Sequence, residues 1–336
     1  MADCEIFSLG DFTLENGRVL PDAKLAYKTY GQLNSSKTNV VLLCSYFTGN
    51  HASYEFLIQP GHCFDPEKYF IISTNLFSNG FSSSPSNTPK PLNGPYFPAT
   101  SIRDNVHAQH RLVVERWRIE KLAMVAGASM GAQQAFQWAV SYPEMVERIA
   151  PWVGAARTTP HTFFIPEGVA AALKTDAAWK GGHYEQPPEL GLRAAARVVA
   201  GWPLSQAWYR QELYKQMGYP TLADFIARFW ESFVMQHDAN NLLGLIFTWQ
   251  THNVGDSPGF GGDYKKALAS ITAKAVVMPC QTDLYFPPED SEEEVRCMSN
   301  AELKIIPSIW GHFAGLGINA ADAEFIDAAI KGCLVS

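Results

Sequence analysis

The chain has 336 residues, 47% hydrophobic and 18% charged, with 26 Lys and Arg against 33 Asp and Glu. That length buries a sizeable core, and in an α/β chain it suits one domain carrying an insertion. The net charge of −7 speaks against nucleic acid or an anionic membrane as the main partner.

The opening MADCEIFSLGDF lacks the basic start and apolar core of a signal peptide, and no apolar run approaches bilayer-spanning length. The six cysteines, at positions 4, 44, 63, 280, 297 and 333, are scattered without a CxxC pair. Reduced thiols in a cytoplasmic protein are therefore expected, with neither disulfides nor a structural metal.

The first forty residues alternate apolar and polar around turn signals at Asn16-Gly17, Pro21-Asp22 and Gly31, which predicts antiparallel strands. Short, nearly all-apolar runs follow at 40–44, 69–73, 122–126, 149–153, 275–278 and 303–306, the pattern of strands buried on both faces of a parallel sheet. Helical patterns at 102–114 and 131–141 flank the third run, and two more fall at 289–298 and 320–330. This alternation predicts an α/β fold: a mostly parallel central sheet flanked by helices.

Between residues 158 and 265 the rhythm changes. The segments 194–200, 205–216, 222–236 and 240–251 read as helices, with turns at Gly201-Trp202-Pro203 and Gly218-Tyr219-Pro220 and no buried strand between them. The expected organisation is a core built from 1–157 and 266–336, with 158–265 inserted as a helical cap over the C-terminal edge of the sheet.

The run at 122–126 leads into Gly127-Ala128-Ser129-Met130-Gly131, a G-x-S-x-G sequence between a strand and a helix. In that context the pattern is a nucleophile elbow: the serine occupies a sharp turn, and the flanking glycines let neighbouring backbone pass. A serine hydroxyl needs a base and an orienting acid, in the chain order Ser, Asp or Glu, His. Asp283 lies just past the run at 275–278, and His312 just past that at 303–306. Among the nine histidines, His107 and His110 come too early in that order, and His237 and His252 in the insertion follow no core strand. The loop after the run at 40–44 should supply one oxyanion donor and the elbow the other, which assigns the backbone N–H groups of Phe47 and Met130. His107-x-x-His110 is a lone pair without a third ligand, and no Gly-rich loop has nucleotide-binding spacing, so no metal site and no resident cofactor are expected.

These residues resemble the homoserine O-acetyltransferase family, a branch of the α/β-hydrolase fold, over nearly the whole chain. The resemblance is carried by 25–31 (LAYKTYG), Phe47-Thr48-Gly49, Ile102-Arg103-Asp104, Ala108-Gln109-His110-Arg111, Ser129-Met130-Gly131, Asp238-Ala239-Asn240, Asp283 with Phe286-Pro287-Pro288, and Gly311-His312. It implies a triad of Ser129, Asp283 and His312, an acyl-serine intermediate, and a homodimer formed through the cap helices.

The departures concern substrate. Where acetyltransferases of that family carry Gly-His-Asp-Ala-Phe, with the aspartate contacting the homoserine amino group, this chain reads Gly311-His312-Phe313-Ala314-Gly315. The family's arginine before Gln109 is His107, and the elbow continues into Ala132 rather than a further glycine. A phenyl in place of a carboxylate removes the partner of an ammonium group. Tyr46, Phe47, Trp152, Trp310 and Phe313 flank the predicted catalytic loops and suit an apolar pocket, while Arg193 and Arg197 are candidates for a carboxylate-binding arginine. Tyr46, Trp310, Phe313 and Arg197 are the substrate contacts expected here.

The expected activity is hydrolysis of a small, weakly polar ester through an acyl-serine. The alternative is an O-acyltransferase moving an acyl group from acyl-CoA, as co-substrate, to an alcohol. The partner in either case is a small-molecule ester or acyl donor. The intact Ser, Asp, His order argues against a third reading, a catalytically dead fold kept for binding.

Overall fold

The computed structural model describes residues 3–335. An antiparallel hairpin of β1 (Glu5–Thr13) and β2 (Val19–Tyr30) leads into six further strands: β3 (Val40–Cys44), β4 (Phe70–Thr74), β5 (Met124–Ala128), β6 (Arg148–Trp152), β7 (Lys274–Val277) and β8 (Ala301–Leu303). They form one eight-stranded sheet in the order β1-β2-β4-β3-β5-β6-β7-β8. β2 pairs antiparallel with β4, and every pairing from β4 to β8 is parallel.

β3 to β7 read as continuous apolar runs because both faces are covered. Of the run expected at 303–306 only Leu303 falls within β8, since β8 is an edge strand with Glu302 exposed. Along β3, Val40, Leu42 and Cys44 face one core and Val41 and Leu43 the other, the two-residue alternation of a strand. The first core receives α1 (Ile102–Trp117) and α2 (Met130–Ser141) through Val106, Leu112, Phe136 and Trp138. The second receives the C-terminal helix Ala320–Val335 through Ile326 and Ile330. Each buried aliphatic side chain contributes about 1.5–3 kcal/mol of transfer free energy.

Two of the motifs quoted above turn out to be helix starts. Ser101 and Asp104 form a reciprocal capping box on α1, and Asp104 also accepts from the Glu15 amide at 2.8 Å. Asp238 caps the helix Ala239–Gln250, accepting from Asn241 N, while Tyr184 donates to its other oxygen at 2.7 Å.

Between β6 and β7 the described residues form helices and turns and no strand. A third core, containing Leu173, Leu192, Trp208, Phe225 and Leu242, holds most of this insertion together. Its last part packs elsewhere, since Trp249, Val254, Tyr264 and Leu268 belong to the first sheet core.

The sequence pattern misses α3 (Pro160–Lys174), whose periodicity is interrupted by Pro166. The helix expected over 205–216 is two short pieces, Gln206–Arg210 and Leu213–Lys215, parted by Glu212 at φ 52°. The helix expected over 222–236 contains a π turn, Ile226–Glu231. α4 spans Glu189–Ala200. No helix among the described residues is long and apolar enough to cross a membrane.

Candidate active site

β5 ends at Ala128 and α2 begins at Met130, leaving Ser129 on the turn with φ 55° and ψ −121°. That backbone is strained for any residue with a Cβ, so its surroundings must impose it. Ser129 N donates to Trp152 O on β6 at 3.0 Å, and Ser129 O accepts from Gln133 N at 3.1 Å. Tyr54 Oη bridges the elbow to β3, donating to Cys44 O and accepting from Ala128 N, each at 2.8 Å. A Cβ on Gly127 would lie 2.7 Å from Cys44 O, and one on Gly131 would fall on the same carbonyl and 2.8 Å from the Tyr54 hydroxyl. The glycines of the motif are there for the passage of β3.

Asp283 follows β7, and His312 follows β8 on the short helix Gly311–Leu316. His312 Nδ1 lies 2.8 Å from Asp283 Oδ2, and both side chains are buried. Asp283 Oδ1 accepts from the amides of Tyr285 and Phe286 at 2.7 and 3.3 Å. A carboxylate oxygen can only accept, so the imidazole proton sits on Nδ1 and Nε2 keeps its lone pair. The rings of Tyr285 and Phe286 lie 4.7 and 5.8 Å from the imidazole, centroid to centroid. The insertion holds this loop from the other side: His312 N donates to Pro203 O at 2.7 Å.

After β3 the chain turns at Tyr46–Gly49, with Gly49 N donating to Tyr46 O at 2.8 Å. The left-handed residue of the turn is Thr48, at φ 61°, and not Gly49. Gly49 is needed for space, because a Cβ there would lie 2.9 Å from the Tyr46 ring. Among the described residues, neither Phe47 N–H nor Met130 N–H donates to a protein acceptor. Both are thus left for another acceptor.

A buried row of side-chain amides, to which the sequence pattern assigns no role, ties these two donors together. Gln134 Nε2 donates to Ser45 O at 2.8 Å and to Met130 O at 2.9 Å, clasping the loop after β3 to the first turn of α2. Gln109 Nε2 donates to Gln134 Oε1 at 2.6 Å, and Trp138 Nε1 donates to Gln109 Oε1 at 2.7 Å. The signal in the sequence is a glutamine at a core-facing position of α2, where an apolar residue would otherwise stand.

Ser129 and His312 both line a cavity of about 390 Å³. Tyr46, Phe47 and Phe313 form part of its wall, joined by Phe229, Trp230 and Trp249 from the insertion. Among its described lining residues there is no Asp, Glu, Lys or Arg. Burial raises the phenol pKa of Tyr46 and Tyr285, which keeps both wall hydroxyls neutral.

Two expected substrate contacts are placed elsewhere. Trp310 packs on Trp208, with ring centroids 5.6 Å apart, and does not line the cavity. Arg197 and Arg193 are engaged with the buried carboxylate of Glu231: Arg197 Nη2 lies 2.7 Å from Oε1 and Arg193 Nη1 lies 2.8 Å from Oε2. The spacing on α4 shows that both arginines share a face, but it cannot show that a carboxylate of the same chain fills it. Trp152 lies beneath the site, its Nε1 donating to Gly315 O at 2.8 Å. His237 and His252 are not part of the cavity wall.

No family model matches the chain. It is 38% identical to the ethyl acetate hydrolase of Pseudomonas veronii over 328 residues, covering 96% of this chain and 92% of that protein. It is 33% identical to the homoserine O-acetyltransferase of Trichormus variabilis over 338 residues, covering 96% of this chain and 90% of that one. Among solved structures it superposes on an acetylester hydrolase from Corynebacterium glutamicum with a TM-score of 0.96 at 35% identity, covering 99% of this chain and 96% of the other.

Proposed function

The chain belongs to the homoserine O-acetyltransferase-like family of the α/β-hydrolase fold, and we propose that within it this protein is an esterase that cleaves small, weakly polar esters with a Ser129–His312–Asp283 triad. The observation that carries the reading is the cavity wall: Ser129 and His312 open onto a space without one charged side chain among its described lining residues. An amino-acid acceptor would bring an ammonium and a carboxylate into that space without partners, at a desolvation cost of several kcal/mol. Similarity to the ethyl acetate hydrolase and the acetylester hydrolase supports the same choice.

In the proposed reaction Ser129 Oγ attacks the ester carbonyl as His312 Nε2 takes its proton. The negative charge that forms on the carbonyl oxygen meets the Phe47 and Met130 N–H groups, and the α2 N-terminus adds its dipole. Collapse breaks the bond to the alcohol oxygen, which His312 protonates as it leaves. A water molecule, deprotonated by His312, then attacks the acyl-serine; the acid departs and Ser129 recovers its proton. Asp283 keeps the imidazole oriented and stabilises it when charged. Side chains and backbone carry every step, and no cofactor takes part. Acyl transfer to an alcohol, supported by the likeness to the Trichormus acetyltransferase, shares the first half and differs in what attacks the acyl-serine.

The test is to incubate the protein with a serine-directed organophosphonate and, separately, with ethyl acetate and with acetyl-CoA plus a panel of alcohols that includes homoserine. Adduct formation on Ser129, ester turnover that Ser129→Ala loses, and no acceptor-dependent CoA release are the expected results. An undiminished Ser129→Ala enzyme would refute the triad, and CoA release that requires an alcohol would replace esterase by acyltransferase.

A further inference from the structure

The π turn Ile226–Glu231 sits where the insertion meets the catalytic cavity. A π turn spends one more residue than an α turn and re-aims the side chains around it; such turns are concentrated at functional sites. Here two successive residues, Phe229 and Trp230, line the cavity, while Glu231 turns away from it towards α4. The rings of Phe229 and Trp230 lie 6.1 and 5.5 Å from that of Phe313, the residue after His312. With Phe229 and Trp230 themselves 5.1 Å apart, the three rings form one wall of the cavity that Ser129 and His312 also line. In the reaction proposed above His312 hands its proton to the departing alcohol, and Phe313 follows His312 directly in the chain. That adjacency is the ground for matching this wall to the alcohol's alkyl group and not to the acyl chain.

Glu231 is 5% exposed and its two oxygens are divided between two cations. Oε2 takes Arg193 Nη1 at 2.8 Å and Oε1 takes Arg197 at 2.8 Å from Nε and 2.7 Å from Nη2. The arginines lie on successive turns of α4, so the carboxylate anchors the end of the π turn to a regular helix at two points. Neither the carboxylate nor either guanidinium lines the cavity.

We propose that the Arg193–Glu231–Arg197 clamp is a specificity-determining element: by fixing the π turn it holds Phe229 and Trp230 against Phe313 and so limits the length of the alcohol part of the ester. The proposal rests on the esterase reading for its chemistry, but the limit is a property of the wall. Glu231 acts as a positioning residue, through Phe229 and Trp230, and touches no reacting atom.

The test compares wild type, Glu231→Gln and Arg197→Lys across two ester series, acetates of ethanol to hexan-1-ol and ethyl esters of acetic to hexanoic acid. The same proteins are titrated with the free alcohols and followed by tryptophan fluorescence. Glu231→Gln should raise the hexyl-to-ethyl ratio of kcat/KM among the acetates by about tenfold, the scale on which a pocket discriminates methylenes. The ratio along the acid series should stay within about threefold, and hexan-1-ol should bind more tightly than to wild type. Arg197→Lys, which keeps the charge and loses one contact, should shift in the same direction by less, and it decides the matter if Glu231→Gln does not fold. Equal shifts in both series, or no shift in a folded variant, would overturn the clamp. A wild type that cleaves none of the esters defeats the esterase reading instead, and the alcohol titration then judges the clamp alone: unchanged hexan-1-ol binding rejects it.

Discussion

The ring of Phe313 packs on Trp230 with centroids 5.5 Å apart and the planes inclined by 36°. Phe313 stands one residue beyond His312, where the resembling acetyltransferases carry an aspartate. It is also 8% exposed and belongs to the core of the insertion. Phenyl and carboxylate are therefore not interchangeable readers of substrate at this position, because the phenyl also holds the wall together.

From the sequence, Phe313→Asp looks like a route back to homoserine recognition; the packing predicts otherwise. The substitution removes a buried ring and places a carboxylate among Phe229 and Trp230, for a loss of about 3–5 kcal/mol. Thermal unfolding should show a lowered Tm. With acetyl-CoA and homoserine present, CoA release should not rise above the wild-type rate, because the cavity supplies no partner for the homoserine carboxylate either. A gain in homoserine use would show that a single carboxylate suffices and that the rest of the wall adapts to it.

Gln134 gives a test of the proposed oxyanion donors that leaves both of their N–H groups in place. Its Nε2 holds Ser45 O and Met130 O together, and so sets the separation of the Phe47 and Met130 N–H groups. Gln134→Met keeps the volume and deletes the clasp, leaving the Ser45 carbonyl and one Gln109 Nε2 donor without these partners at a cost of about 1–3 kcal/mol each. Steady-state kinetics should show kcat reduced by about 10- to 100-fold, with KM for ethyl acetate little changed because ground-state contacts are untouched. A proportional rise in KM with constant kcat would place the glutamine's effect on substrate binding instead.

The strands were the most legible part of this sequence. The run at 40–44 is β3 to the residue, since a strand buried on both faces announces itself as an uninterrupted apolar segment. The catalytic candidates were legible for a related reason: Ser129 and Asp283 each follow such a run, His312 follows the edge strand β8, and parallel strands deliver their C-terminal ends to one edge. The insertion was less readable. Pro166 hides α3, a π turn leaves no periodic trace, and Arg197 looks available until Glu231, 34 residues away, is brought to it. What depends on contact between distant helices does not show as local pattern.

Glu294 connects stability to pH. Its side chain is fully buried on the helix Pro288–Cys297, and Oε1 accepts from the Ala156 amide at 2.6 Å. Burial raises its pKa from the ordinary 4.5 to about 8; the Ala156 N–H opposes the shift and the nearby Asp290 adds to it. The unfolded chain gives up this proton near 4.5 and the folded chain near 8. Between those values the unfolded state binds fewer protons, so stability falls as pH rises and levels off above about 8. Glu294→Gln keeps the shape and the hydrogen bond from Ala156 without the ionisable group. Melting curves of both proteins between pH 5 and pH 9, a range of about two steps either side of neutrality, should show the Tm advantage of the variant growing with pH by several degrees, the scale of a few kcal/mol in a chain of this size. Ala156 lies two residues past Gly154, whose Cα approaches the Ser129 carbonyl so closely that a Cβ there would sit 2.5 Å from the oxygen. Esterase activity in the variant should therefore persist to higher pH along with the fold. Parallel Tm curves would mean that this carboxyl does not titrate between the two states, and the slope of the wild type would then belong to another group.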